Sequence, residues 1–119
     1  MTTIVQYIVV RGDLLKDLKW PVGAILAQAC HAVTAVTHLF YEDEQTRLYL
    51  KNLESMHKVV LEASDEQSLV NLTTKLEEGG VKYKLWIEQP ENIPTCLAVK
   101  PYKKEEVQQY FKKFKLFKM

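Results

Sequence analysis

The stretch Val22–Tyr41 constrains this chain more than any other. It follows Trp20-Pro21 and runs for two helix-lengths with hardly a charged side chain. Pro21 suits the first turn of a helix, and the run predicts a helix to about Tyr41. Being apolar almost all round, it is expected to pack centrally. Its length approaches that of a membrane span. Gln28, His31, Thr34, Thr37 and His38 make it too polar for lipid, so no membrane partner is expected.

A helix of that kind needs a sheet to cover. Val5–Val10 is rich in β-branched and aromatic residues and reads as a buried strand, ended by Gly12-Asp13. Glu42-Asp43-Glu44 opens a second helix, with Leu48, Leu50 and Leu53 as packing candidates. Lys58–Ala63 is a second strand. Ser64 with Gln67 forms a capping box for a third helix, in which Leu69, Leu72 and Leu76 share a face and which Gly79-Gly80 ends. Lys82–Glu88 and Thr95–Lys100 are further strands, separated by a loop that Pro90 and Pro94 enforce. A last helix over Lys104–Lys115 turns Val107, Phe111 and Phe114 inward. The order β-α-α-β-α-β-β-α predicts one domain over residues 1–119, an α/β fold of three layers (α/β/α) around a mixed four-stranded sheet.

Charge is nearly balanced, at +1 over 119 residues, so no global attraction to nucleic acid is expected. It is unevenly spread: residues 100–119 carry net +5 and residues 42–91 net −5. Such asymmetry can mark a nucleic-acid face, with Lys112 and Lys113 as its candidates. Cys30 and Cys96 lie far apart, outside any C-x-x-C pair, which argues against zinc and against a secreted disulfide scaffold. The N-terminus lacks a signal-peptide pattern. These features lead us to expect a reducing, cytoplasmic setting.

Several polar residues are candidates for chemistry. Gln28 and His31 fall three apart on one helical face. His31 is either a placed acid–base group or a core histidine bonded to a backbone carbonyl. Arg11 and Asp13 follow the first strand, where open α/β sheets gather ligands; they present a cation to phosphate or brace a loop. Glu88 and Thr95 stand at facing strand ends and could position a water, or could be ordinary strand-end residues. His31, His38 and His57 form no metal spacing with the cysteines, and neither a phosphate-binding nor a serine-nucleophile motif occurs. No metal or cofactor is expected.

Beyond these physical readings, Val9-Val10-Arg11-Gly12-Asp13-Leu14, Gly23 and Ala27-Gln28-Ala29-Cys30-His31-Ala32 resemble the type-2 peptidyl-tRNA hydrolases. So do Lys58-Val59-Val60-Leu61 with Asp65-Glu66, and Thr95-Cys96-Leu97-Ala98-Val99-Lys100-Pro101. Trp20-Pro21-x-Gly23-Ala24 and Leu85-Trp86-x-Glu88-Gln89-Pro90-Glu91-Asn92-Ile93 are similar to a eukaryotic branch, the peptidyl-tRNA hydrolase domain-containing proteins.

The resemblance implies a three-layer fold, often homodimeric, that hydrolyses the ester joining a peptide to the 3′ ribose of tRNA. It puts His31, Glu88 and Thr95 in the catalytic site and Gln28, Arg11 and Asp13 around it. The family's G-K-G-K segment aligns with Pro21-Val22-Gly23-Ala24, so Val22 and Ala24 replace two lysines. Lys16 and Lys19, in the loop before Trp20, are the candidates to restore that charge. The alternative is a binding module for tRNA or protein that kept the fold without the chemistry.

Overall fold

The structure, a computed structural model, describes residues 3–118. Strand β1 (Ile4–Arg11) is followed by a single helical turn, α1 (Asp13–Lys16), and the long helix α2 (Val22–Leu39). Helix α3 (Glu44–Lys51) and a 3₁₀ turn at Leu53–Ser55 lead into β2 (Lys58–Ala63) and α4 (Glu66–Glu78). The hairpin β3 (Tyr83–Glu88) and β4 (Ile93–Val99) comes next, then β5 (Tyr102–Lys103), α5 (Lys104–Val107), a 3₁₀ turn at Gln108–Tyr110 and β6 (Lys115–Leu116).

The sheet order is β3-β4-β1-β2-β6, with β5 pairing beside β4's end on β1. β1 runs parallel to β2, as Val10↔Glu62 shows, and antiparallel to β4 and β5. It lies in the middle of the sheet and every residue from Val5 to Arg11 is buried. Strand alternation sorts its side chains between two cores. Val5, Tyr7 and Val9 meet Leu69, Leu72 and Leu76 of α4, Phe111 and Val107. Ile8 and Val10 meet Ile25, Ala32 and Val36 of α2. The expected three-layer α/β/α architecture with a mixed sheet is therefore present.

The sheet has six strands rather than the expected four. The two additional strands are two residues long, too short for a period-2 pattern to reveal. β6 arises because β2 would otherwise present an open outer edge: Leu61 pairs with Leu116 and Glu62 with Lys115. That pairing also corrects the last helix. Its pattern holds for one α-turn and a 3₁₀ turn, and the chain then leaves to reach β2. Val107 and Phe111 still face inward, as expected.

Three further expectations change. Helix α2 does not pack centrally: only Ile25, Gln28, Ala32 and Val36 are buried, while Leu26 is 62% exposed. A sheet covers one side of a helix, and no further layer lies over α2 among the described residues. In α3 the buried residues are Thr46 and Tyr49, whereas Leu48 is exposed and Leu50 half-buried; Leu53, in the 3₁₀ turn that follows, is exposed as well. The helix is turned by its polar anchors. Asp43 caps Thr46 N at 3.1 Å and pairs with buried Lys100 at 3.0 Å, and the Tyr49 hydroxyl donates to the His57 carbonyl. At the start of α4 the cap is Asp65, accepting from Ser68 N at 2.8 Å, not the pair Ser64 and Gln67.

Candidate active site

The carboxyl ends of β1, β2 and β3 and the start of β4 meet at one end of the sheet, beside α2. Ligand sites in open α/β sheets form at such ends. Gln28, His31, Glu88 and Thr95 converge here, and Thr95 joins them because of a bulge. Trp86 pairs with Cys96 and Ile87 pairs with Pro94, which leaves Thr95 without an opposite residue. Alternation from Leu97 and Val99, which face α4, would send Thr95 to that side as well. The extra residue re-aims it. The Thr95 hydroxyl instead donates to Gln28 Oε1 on α2 at 2.8 Å, with both side chains buried.

Gln28 also donates through Nε2 to the Ala24 carbonyl one turn earlier, at 3.0 Å. Its amide is therefore fixed at both ends. Thr95 is closed off from solvent beneath it, so the threonine fixes Gln28 and does not face the open surface.

His31, one turn on from Gln28, is exposed. It is not the satisfied core histidine that its apolar surroundings left possible. Its ring stacks on Trp86, with centroids 4.7 Å apart and planes 20° from parallel. The Trp86 indole donates to Glu88 Oε1 at 2.9 Å. That bond, with smaller contributions from Gln28 and the positive charge His31 can carry, outweighs partial burial and holds the Glu88 carboxyl below the usual range. The site thus presents an ionised carboxylate and an accessible imidazole together. One can take a proton from water and the other can give one to a leaving group.

Arg11 and Asp13 form a closed, two-pronged pair, with Nε and Nη2 donating at 3.0 and 2.9 Å. The bond to Asp13 holds the Arg11 pKa above its ordinary value, against the effect of burial. Arg11 Nη1 reaches the Pro94 carbonyl at 3.0 Å and Glu66 at 3.4 Å. The pair pins the start of β4, next to the Thr95 bulge. Its charge is taken up inside the protein, so its place is that of a brace.

The lysines lie elsewhere. Lys16 pairs with Glu62 of β2 at 2.6 Å. Lys19 is exposed, in a left-handed backbone conformation (φ 58°) unusual for a residue with a Cβ. Lys112 and Lys113 are exposed and border a cavity with Lys75, Glu78 and Tyr110, in the α4 layer on the far side of the sheet from α2. The structure does not bring them together with His31.

Reading residues singly overlooked Trp86. Its signal was present: Trp86 and Glu88 are two apart in a strand and so share a face.

Residues 4–117 match the family described as Peptidyl-tRNA hydrolase PTH2. The chain is 53% identical over 116 residues to "Putative peptidyl-tRNA hydrolase PTRHD1" of Mus musculus, covering 97% of this chain and 83% of that one. The Homo sapiens protein of the same name is equally similar, over the same shares. "Peptidyl-tRNA hydrolase" of Methanothermobacter thermautotrophicus is 29% identical over 107 residues, covering 86% of this chain and 89% of its own.

Proposed function

The chain belongs to the peptidyl-tRNA hydrolase PTH2 family, and on that premise we propose that it hydrolyses the ester between a peptide and the 3′ ribose of tRNA. The observation that carries the proposal is geometric: the Glu88 carboxylate and an accessible His31 are held against one side chain, Trp86, at the end of the sheet where Gln28 and Thr95 also meet.

In this reading Glu88 takes a proton from water, which attacks the ester carbonyl carbon. The tetrahedral oxyanion collapses, the bond to the ribose oxygen breaks, and protonated His31 donates its proton to that oxygen; the proton held by Glu88 then passes through water to His31, which resets both groups, and the new peptide carboxyl releases its own proton to solvent. The products are a peptide carboxylate and a tRNA with a free 3′ end. Gln28, fixed by Thr95 and Ala24, presents a positioned amide beside the carboxylate. Arg11 and Asp13 hold the start of β4 in register. Lys112 and Lys113 contact tRNA phosphates away from the reacting ester. Two copies associate through the apolar side chains that α2 leaves uncovered, Leu26 among them.

A second reading has an observation in its favour. Val22 and Ala24 stand where the resemblance expects lysines, and Lys16, a candidate replacement, is engaged with Glu62. An oxyanion without a nearby cation is stabilised less. The protein would then bind tRNA without cleaving it.

Labelled peptidyl-tRNA separates the two. Hydrolysis proportional to protein, lost by about 100-fold in His31→Ala with binding retained, is the expected outcome for an acid–base group. Tight binding with no release of labelled peptide by the wild type would establish the second reading.

A further inference from the structure

Trp86 touches both groups assigned to acid–base work. Its face carries the His31 ring and its indole N–H holds Glu88 Oε1. We propose that Trp86 is the positioning residue of this site, fixing the imidazole and the carboxylate relative to one another through one rigid side chain. The role rests on the hydrolase reading above.

The geometry favours this over simple packing. His31 is exposed on α2 and has two side-chain torsions free to vary unless something holds its ring. A stack at 4.7 Å supplies that hold. Glu88 ends an edge strand, where a carboxylate could swing into solvent; a charge-assisted bond from an indole attached two residues earlier keeps it over the α2 side. Trp86 is itself held between β4, where it opposes Cys96, and the core beneath α2. The polar or titratable groups that bear on Glu88 are Trp86 on its own strand and Gln28 and His31 on α2, while its partner on β4 is Ile93.

Two of these contributions separate in Trp86→Phe, which keeps an aromatic face for His31 and loses the N–H. Glu88 has its pKa lowered by that donor, so losing it moves the carboxyl titration to higher pH. Carbon-13 NMR of the Glu88 carboxyl in the full chain should show this upward move. The acid limb of kcat/KM should move up with it, while KM for peptidyl-tRNA changes less than twofold. Trp86→Leu should in addition erase the ring-current shift of the His31 protons.

The wild type offers a readout that needs no substitution. The Trp86 indole N–H resonance should titrate with the Glu88 carboxyl midpoint, with Trp20 as the internal reference. A flat Trp86 N–H through that range, or a Glu88 midpoint unmoved in Trp86→Phe, overturns the proposal. If the wild type releases no labelled peptide, the hydrolase reading fails on its own, and the NMR titrations still decide whether Trp86 joins the two groups.

Discussion

Thr95 shows how much one residue can depend on its strand partner. From sequence it is a hydroxyl at a strand end, either positioning a water with Glu88 or an ordinary strand-end residue. In the structure it is fully buried and its hydroxyl is spent on Gln28 Oε1, which is equally buried. Thr95→Val keeps the shape and removes the donor, leaving a buried amide oxygen unpaired. That should cost about 1–3 kcal/mol in stability, read as a lower urea midpoint at unchanged slope. Thr95→Ser should recover most of it. A Thr95→Val protein as stable as the wild type would mean that Gln28 is not fixed from β4. His31 differs in kind: it is exposed, so its removal should reach turnover without reaching stability.

At the scale of elements, α2 shows where patterning misleads. Its composition suggests burial on all sides, yet half of it faces outward, Leu26 and Leu39 most of all. The helix sits on one face of a sheet and, among the described residues, is covered from below only. Leu26→Glu should therefore change monomer stability by less than about 0.5 kcal/mol, as a surface substitution does. If two copies pair through this face, the same variant should sediment as a monomer where the wild type sediments as a dimer. A wild type that is monomeric at high micromolar concentration would dispose of that pairing. Helix α3 carries a related lesson. Its leucines look like packing residues, but Asp43, Thr46, Tyr49 and Lys100 set its rotation through polar bonds.

For the molecule as a whole, the two helical layers separate two kinds of charge. His31 and Glu88, the groups proposed for acid–base work, lie on the α2 side. Lys112 and Lys113 lie in the α4 layer, where the nearby positive charge of Lys75 lowers the Lys113 pKa. Clustered lysines of this sort suit a phosphate backbone. Lys112→Ala/Lys113→Ala should leave kcat unchanged and raise KM. It should also flatten the dependence of log affinity for tRNA on log salt by about two. An unaltered salt slope would leave these lysines as a solvated face only.

The sequence by itself determined the alternation of strands and helices, the mixed character of the sheet, and the apolar face that α4 turns inward. Local period and apolar run length carry that information, and Val5–Val10 and Leu69–Leu76 express it without help. It also placed Gln28 and His31 on one helical face. Only the tertiary structure decided which face of α2 is covered, where the bulge sends Thr95, and that Arg11 spends its charge on Asp13. It alone brought Trp86 between His31 and Glu88, and added β6 to close the edge of β2. Each of these turns on contacts between residues far apart in the chain, whose energies have no counterpart in local periodicity. A one-residue shift in strand pairing, such as the one at Thr95, leaves composition and pattern untouched and still moves a side chain from one face of the sheet to the other.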